Sequence, residues 1–255
     1  MFEFEDQPWF PATIREGGTD YLRFFLNNTK FYKPIVPVLA EIQELSGVYQ
    51  LTDLCSGGGG GIEQVTKDLK EIHPGTRVLL TDKFPNIPGF KYLEKNMHGT
   101  ICFHPLPVDA KNVPGELTGI RTMFSATHHF KPEQIKMILT DTVRKKQPIA
   151  MFDGGNRNLL VIAGMLVIHP LLFLLFTPFF RPFKISRIFF TYLLPLIPAM
   201  TIWDGVVSIL RLYSPAQMLA IAQSVPDSNY SWKAGLKKNR LGFSICYLTG
   251  LPPTG

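Results

Sequence analysis

The chain has 255 residues, 45% of them hydrophobic and 18% charged, with a formal net charge of +6. That is enough apolar material for one large domain, or one domain with an appendage, and too little charge for long disordered tails. Three cysteines, Cys55, Cys102 and Cys246, show no CxxC or Cys/His spacing, which argues against a disulfide framework and a zinc site. The basic balance suits nucleic acid, anionic lipid or a phosphorylated substrate and selects none of them. The opening MFEFEDQPWFP is acidic and aromatic, unlike a signal peptide, so the folded part is expected in the cytoplasm.

The aromatic-rich residues 3–32 end in an expected helix at TDYLRFFLNN, with Thr19 or Asp20 as its cap. VPVLAEIQELS has apolar residues at helical spacing, and VYQLTDL reads as a strand. Five glycines follow, Gly57 to Gly61, and then an amphipathic helix stopped by Pro74-Gly75. TRVLLTD is a second strand, KYLEKN a short helix, and GTICFHPLPVDA a third strand with its loop. GIRTMFSATHHF carries a fourth strand, KPEQIKMILTDTVRKK a helix with Pro132 in its first turn, and PIAMFDGG a fifth strand. This alternation of apolar strands with helices predicts an α/β, Rossmann-like parallel sheet in three layers. After Asp204 come a helix capped by Ser214, with Pro215 at its first position, and two final strands joined at Asn239 to Gly242.

A glycine turn between the first strand and the first following helix lets backbone approach a ligand closely. A phosphate loop needs Gly-Lys-Ser/Thr, and here Ile62-Glu63 follow Gly61. A dinucleotide fold and an S-adenosylmethionine site both tolerate the glycines. Asp53, Asp82 and Asp109 stand at three successive strand ends. Three acids favour a ligand with a cationic amine, a ribose and an adenine amino group over a pyrophosphate, which wants positive charge.

On these residues the chain resembles the class I S-adenosylmethionine-dependent methyltransferases, over about residues 36–153 and again 204–252. The family's acid and Gly-x-Gly motif matches Asp53 and Gly57 to Gly61, with Ser56 where many members have glycine. Its ribose acid matches Asp82, its adenine acid Asp109, and SATHHF resembles the string after the fourth strand of several members. FEFEDQPWFP, TDYL and WDGVVSILRLYSP resemble a little-characterised bacterial subgroup. The resemblance implies a seven-stranded sheet with its last strand antiparallel, and S-adenosyl-L-methionine as the cofactor. It implies cofactor contacts from Asp53, Cys55, Ser56, Gly57, Gly58 and Gly59, from Asp82 and Lys83, from Asp109 and Ala110, and from Ser125.

Methyl transfer is an in-line displacement that needs positioning and, for an oxygen or nitrogen acceptor, a base. His128 and His129 follow the fourth strand and are the candidate bases; packing or capping is their alternative use. Asp153, Asn156 and Arg157 after the fifth strand are candidates for the acceptor pocket, as are Trp9 and Tyr21 from an N-terminal lid over residues 1–35. His73, His104 and His169 are scattered and suggest no metal site.

The methyltransferase domain, 36–255, is interrupted by an apolar helical hairpin after the fifth strand, residues 158–203. Leu159 to Phe180 holds no Asp, Glu, Lys or Arg, and its 22 residues suffice to cross a bilayer. Pro170 and Pro178 interrupt it, and the second segment is shorter and carries Pro195 and Pro198. Both ends of the insertion join one domain, so a spanning hairpin puts Arg181, Lys184 and Arg187 on the wrong side. A re-entrant or interfacial hairpin keeps these cations at the headgroups on the cytoplasmic side; a cap buried on the domain or in a dimer is the other reading. The expected activity is methylation of a small, hydrophobic or lipid-like acceptor. The alternatives are a non-catalytic interaction protein of the same fold, or methylation of RNA or protein, though no basic stripe with interleaved aromatics favours nucleic acid.

Overall fold

Short strands buried on both faces need cover on both sides, and the helices between them supply it. The computed structural model describes residues 2–155, 157, 159–226 and 229–253. Seven strands form one sheet: β1 (Gln50–Asp53), β2 (Arg77–Leu80), β3 (Ile101–Phe103), β4 (Ile120–Phe124), β5 (Ile149–Gly154), β6 (Ser231–Lys238) and β7 (Ser244–Leu251). Their order is β3-β2-β1-β4-β5-β7-β6. The first five run parallel, and β7 enters antiparallel between β5 and β6. Order therefore reverses between β1 and β4, opening a crevice at their carboxyl ends.

The helices are α1 (Ala12–Asn28), α2 (Val36–Ser46), α3 (Ile62–Ile72), α4 (Ile87–Asn96) and α5 (Pro132–Arg144), then α6 (Leu159–Phe176), α7 (Ile185–Ile188), α8 (Leu196–Arg211) and α9 (Pro215–Gln223). One core cluster packs α2, α3 and α4 on the sheet through residues such as Leu39, Val65 and Leu93; another packs α5 and α9 through Ile138 and Met218. The expected ends of α2, α5 and α9 hold, the last with Ser214 and Gln217 bonding reciprocally.

The first helix departs from expectation. It begins at Ala12, so Thr19 and Asp20 lie inside it and cap nothing. Gly17 and Gly18 interrupt the helical pattern in sequence, yet here they let α8 approach. A Cβ on Gly17 would sit 2.4 Å from Ile197 and one on Gly18 2.8 Å from Met200. The third apolar cluster forms at this crossing, with Tyr21, Phe173, Phe180 and Ile197.

The apolar insertion consists of α6, a 3-10 turn, α7, a π-helical turn over Phe189–Leu193, and α8, which runs on through Asp204 to Arg211. α6 lies along α8, with Met165 packed on Gly205. Leu159–Phe179 is long and apolar enough to cross a membrane, with mean hydropathy 2.7, while the pair Ile185–Leu193 and Leu196–Arg211 bends by 78°. The basic stretch is not free to meet lipid headgroups as expected. Arg187 is buried, and its Nη2 lies 2.6 Å from Asp20; Lys184 pairs with Glu16 at 2.8 Å and Asp20 at 3.1 Å. Of the three cations only Arg181 is exposed. A buried carboxylate in α1 recruited the other two, because an unpaired charge there is costly.

Candidate active site

The glycine loop is built from below by Asp53. Its carboxylate accepts from Ser56 Oγ at 2.7 Å and Thr122 Oγ1 at 2.8 Å. Burial pushes this carboxyl up to about 7, against the two hydroxyls that donate to it. Gly57 adopts φ +54°, and its N–H donates to Asp82 Oδ2 at 2.7 Å. Gly58 leaves no room for a side chain, since a Cβ would lie 2.8 Å from the Thr19 carbonyl oxygen. From α1, Arg23 donates to the Gly58 carbonyl and Asn27 to that of Gly60.

Above this loop lies a cavity of about 310 Å³. Cys55, Ser56, Gly57 and Gly58 line it, with Asp82 and Lys83, Asp109 and Ala110, and Ser125. Two candidates do not reach it. Asp53 supports the loop from beneath, and Gly59, at φ +97°, faces Leu93. Asp82 accepts from Gly57 and Phe84 N–H, and burial raises its pKa against those two donors. Asp109 accepts from the Lys111 N–H at 3.0 Å.

A second cavity, about 490 Å³ and mainly apolar, opens beside the first. Glu5, Leu22, Leu26 and Ser125 line both. Residues of α6 and α8 form nearly half of its wall, and His128, Asp204 and Ser208 supply polar atoms. His128 is buried. Its N–H donates to Asp153 Oδ2 at 2.9 Å, and its Nδ1 lies 2.8 Å from Oδ1. Asp153 thus stands behind His128 and not in the wall, while Nε2 points away from it, 3.9 Å from Glu3. Tyr21 lines the apolar cavity. Trp9 does not: it is 65% exposed and packs on Phe4 and Phe10. Arg157 is exposed and lines neither cavity, and Asn156 falls outside the described residues.

His129 is held differently. Its ring nitrogens lie 2.8 Å from Glu3, 3.2 Å from Asp6 and 3.3 Å from Glu5. Burial lowers its pKa, but hydrogen bonds to Asp6 and Glu3 outweigh this and hold it well above 6.5. These hydrogen bonds favour its protonated form, which is a poor base. Glu3 is the counterpart: burial raises its pKa, yet His129, His128 and Arg211 bring it down to about 2. Burial raises Glu5 to about 8, with His129 opposing and Asp204, Glu3 and Asp6 adding to it. Asp204 fixes the segment by accepting from the N–H groups of Phe4 and Glu5, at 2.8 and 3.1 Å.

Glu3, His128 and His129 bring one carboxylate and two imidazoles within 4.8 Å of one another, a grouping that no local spacing announces. Sequence reasoning missed Glu3, Glu5, Asp204 and Arg211, which pair with one another or with His129 across the length of the chain. It also set His169 aside, and His169 lines the apolar cavity. A signal existed: His169 is the one ionisable side chain between Leu159 and Phe180, and such a residue in an apolar stretch earns a functional hypothesis.

No family model matches the chain, and no curated protein does. Solved structures do. Human N-acetylserotonin methyltransferase in complex with SAM matches with a TM-score of 0.52 and 11% identity, over 99% of this chain and 63% of that one. A SAM-dependent methyltransferase from Aquifex aeolicus matches at 0.51 and 13%, over 92% and 97%. The plantazolicin methyltransferase in complex with SAH matches at 0.51 and 9%, over 95% and 96%. The chain thus spans under two thirds of the human enzyme's length and nearly all of the other two. At these identities the likeness is one of fold, and the fold is that of the class I S-adenosylmethionine-dependent methyltransferases. Its seven strands and antiparallel β7 are those the sequence resemblance implied.

Proposed function

We propose that the protein is an S-adenosyl-L-methionine-dependent methyltransferase acting on a small, hydrophobic or lipid-like acceptor at a membrane surface. The observation that carries this reading is the adjacency of two unlike cavities, one polar over the glycine loop and one apolar, with a common wall. The polar cavity suits the cofactor: its floor at Gly57 and Gly58 is bare backbone, and the acids Asp82 and Asp109 stand where a ribose and an adenine amino group want acceptors. The cofactor, when bound, supplies an electrophilic methyl group.

The rest falls to this chain's residues. The apolar walls exclude water and orient the acceptor. Asp153 pins Nδ1 of His128, which leaves Nε2 to take the acceptor's proton. Support for the membrane reading is the bare outer face of α6, where Val167, Leu171 and Leu175 follow at helical spacing and are all exposed.

Calorimetric titration with S-adenosylmethionine tests the cofactor. Asp82→Ala should weaken binding roughly tenfold or more, the scale of one charged hydrogen bond. Absence of binding by a folded wild-type protein would shift weight to the non-catalytic alternative. Flotation with phosphatidylglycerol vesicles tests the surface. The wild type should float, and Val167→Glu/Leu171→Glu/Leu175→Glu should sediment with cofactor binding intact. A wild type that ignores the vesicles would leave those three side chains needing another cover.

A further inference from the structure

The apolar cavity holds a second polar point besides the His128 end. His169, only 9% exposed, extends into the cavity wall from the inner face of α6. Its Nδ1 lies 3.1 Å from the Tyr21 hydroxyl, and Nε2 has no hydrogen-bond partner among the described residues. A buried polar atom without a partner is rare and costs free energy unless something else satisfies it. The His169 ring is part of the cavity lining. The apolar residues around it, Phe25, Ile168, Leu172 and Met200, offer no acceptor or donor of their own.

The tautomer follows from Tyr21. Its hydroxyl is hydrogen-bonded to His169, and a buried O–H must find an acceptor. Bare Nδ1 is that acceptor, so the hydrogen of the neutral ring sits on Nε2. Burial without an acidic partner pushes the ring's pKa down to about 4, which keeps it neutral. Nε2–H is then an unsatisfied donor on a ring that lines a mainly apolar cavity. A carboxylate is a poor match, because a neutral imidazole does not offset the cost of burying a charge.

The position along the cavity also follows. Met165 packs on Gly205, beside Asp204, at the level where the N-terminal segment meets His128 and His129. His169 is one turn further along α6, about 5–6 Å. We propose that His169, positioned by Tyr21, is a specificity-determining residue that donates a hydrogen bond to a neutral carbonyl or ether oxygen of the acceptor, set apart from the atom that is methylated. This rests on the assignment of the apolar cavity to the acceptor. It narrows the acceptor class to molecules with an apolar body, a methylatable group at one end and a neutral oxygen further along.

The test is calorimetric binding of a 4-alkylphenol and a set of its analogues in which one chain methylene at a time is replaced by a ketone. With the wild type, one ketone position should bind roughly tenfold more tightly than the parent, the scale of one satisfied hydrogen bond. His169→Phe should bind the parent normally and lose that gain. His169→Gln, which keeps an N–H donor, should retain part of it, and Tyr21→Phe, which frees the tautomer, should reduce it. A parent that binds with no ketone position preferred, or a preference that survives in His169→Phe, would overturn the role of His169 alone. Failure of every alkylphenol to bind would overturn the acceptor assignment of the cavity, and this inference with it.

Discussion

Replacing His128 with alanine should lower the initial rate of methyl transfer by about 10²–10⁴, the usual contribution of a positioned base, while S-adenosylmethionine binding stays unchanged. The readout is radiolabelled methyl incorporated into a lipid extract. The two histidines are neighbours in sequence and their rings lie 4.4 Å apart, yet they are wired oppositely. Asp153 takes Nδ1 of His128 and leaves Nε2 with no carboxylate among the described residues closer than 3.9 Å, on a residue that lines the apolar cavity. Glu3 and Asp6 hydrogen-bond His129 and favour its protonated form, which has no free lone pair. His129→Ala should therefore cost far less in rate and act mainly by loosening residues 3–6. Asp153→Asn keeps the shape but removes the charge that orients the imidazole, and should lose a large part of the same rate. Loss of transfer in His129→Ala with full activity in His128→Ala would reverse the assignment.

That pair illustrates what a sequence can and cannot carry. The parallel strands were legible because each holds a short apolar run between turn residues, and α5 and α9 because Pro132 and Ser214 mark their starts. The cofactor-side residues were legible for a related reason: the loop is local, so Cys55 to Gly58 stay together in any fold that keeps the strand and helix. The apolar cavity and the groups behind it draw on residues 3, 128, 153, 169 and 204, and no periodicity links them. Asp153 looked like a wall residue because it ends a strand, and only the fold turns it towards His128. Gly17-Gly18 hid the first turns of α1, since glycine disfavours a helix until another helix needs the space.

The ion cluster at the α1–α7 crossing shows how these halves depend on one another. Asp20 is fully buried, with Arg187 Nη2 at 2.6 Å, Arg23 Nη2 and Lys184 Nζ each at 3.1 Å, and Asn86 Nδ2 at 3.3 Å. Asp20→Asn keeps the volume and leaves two buried guanidinium groups without their anion. Unfolding by denaturant should show a loss of about 3–5 kcal/mol, because removing one partner of a buried network strands the others. Arg187→Met should cost less, since Asp20 keeps Arg23 and Lys184. The effect should also reach the cofactor. Arg23 donates from the same cluster to the Gly58 carbonyl at 2.6 Å, so the folded fraction of Asp20→Asn should bind S-adenosylmethionine more weakly than the wild type. A stability loss under about 1 kcal/mol, the range of an exposed pair, would mean that water reaches Asp20 and that the insertion is not anchored through it. The larger loss, with weakened binding, would mean that one carboxylate in α1 holds the apolar insertion and the glycine loop in register, and so holds the two cavities side by side.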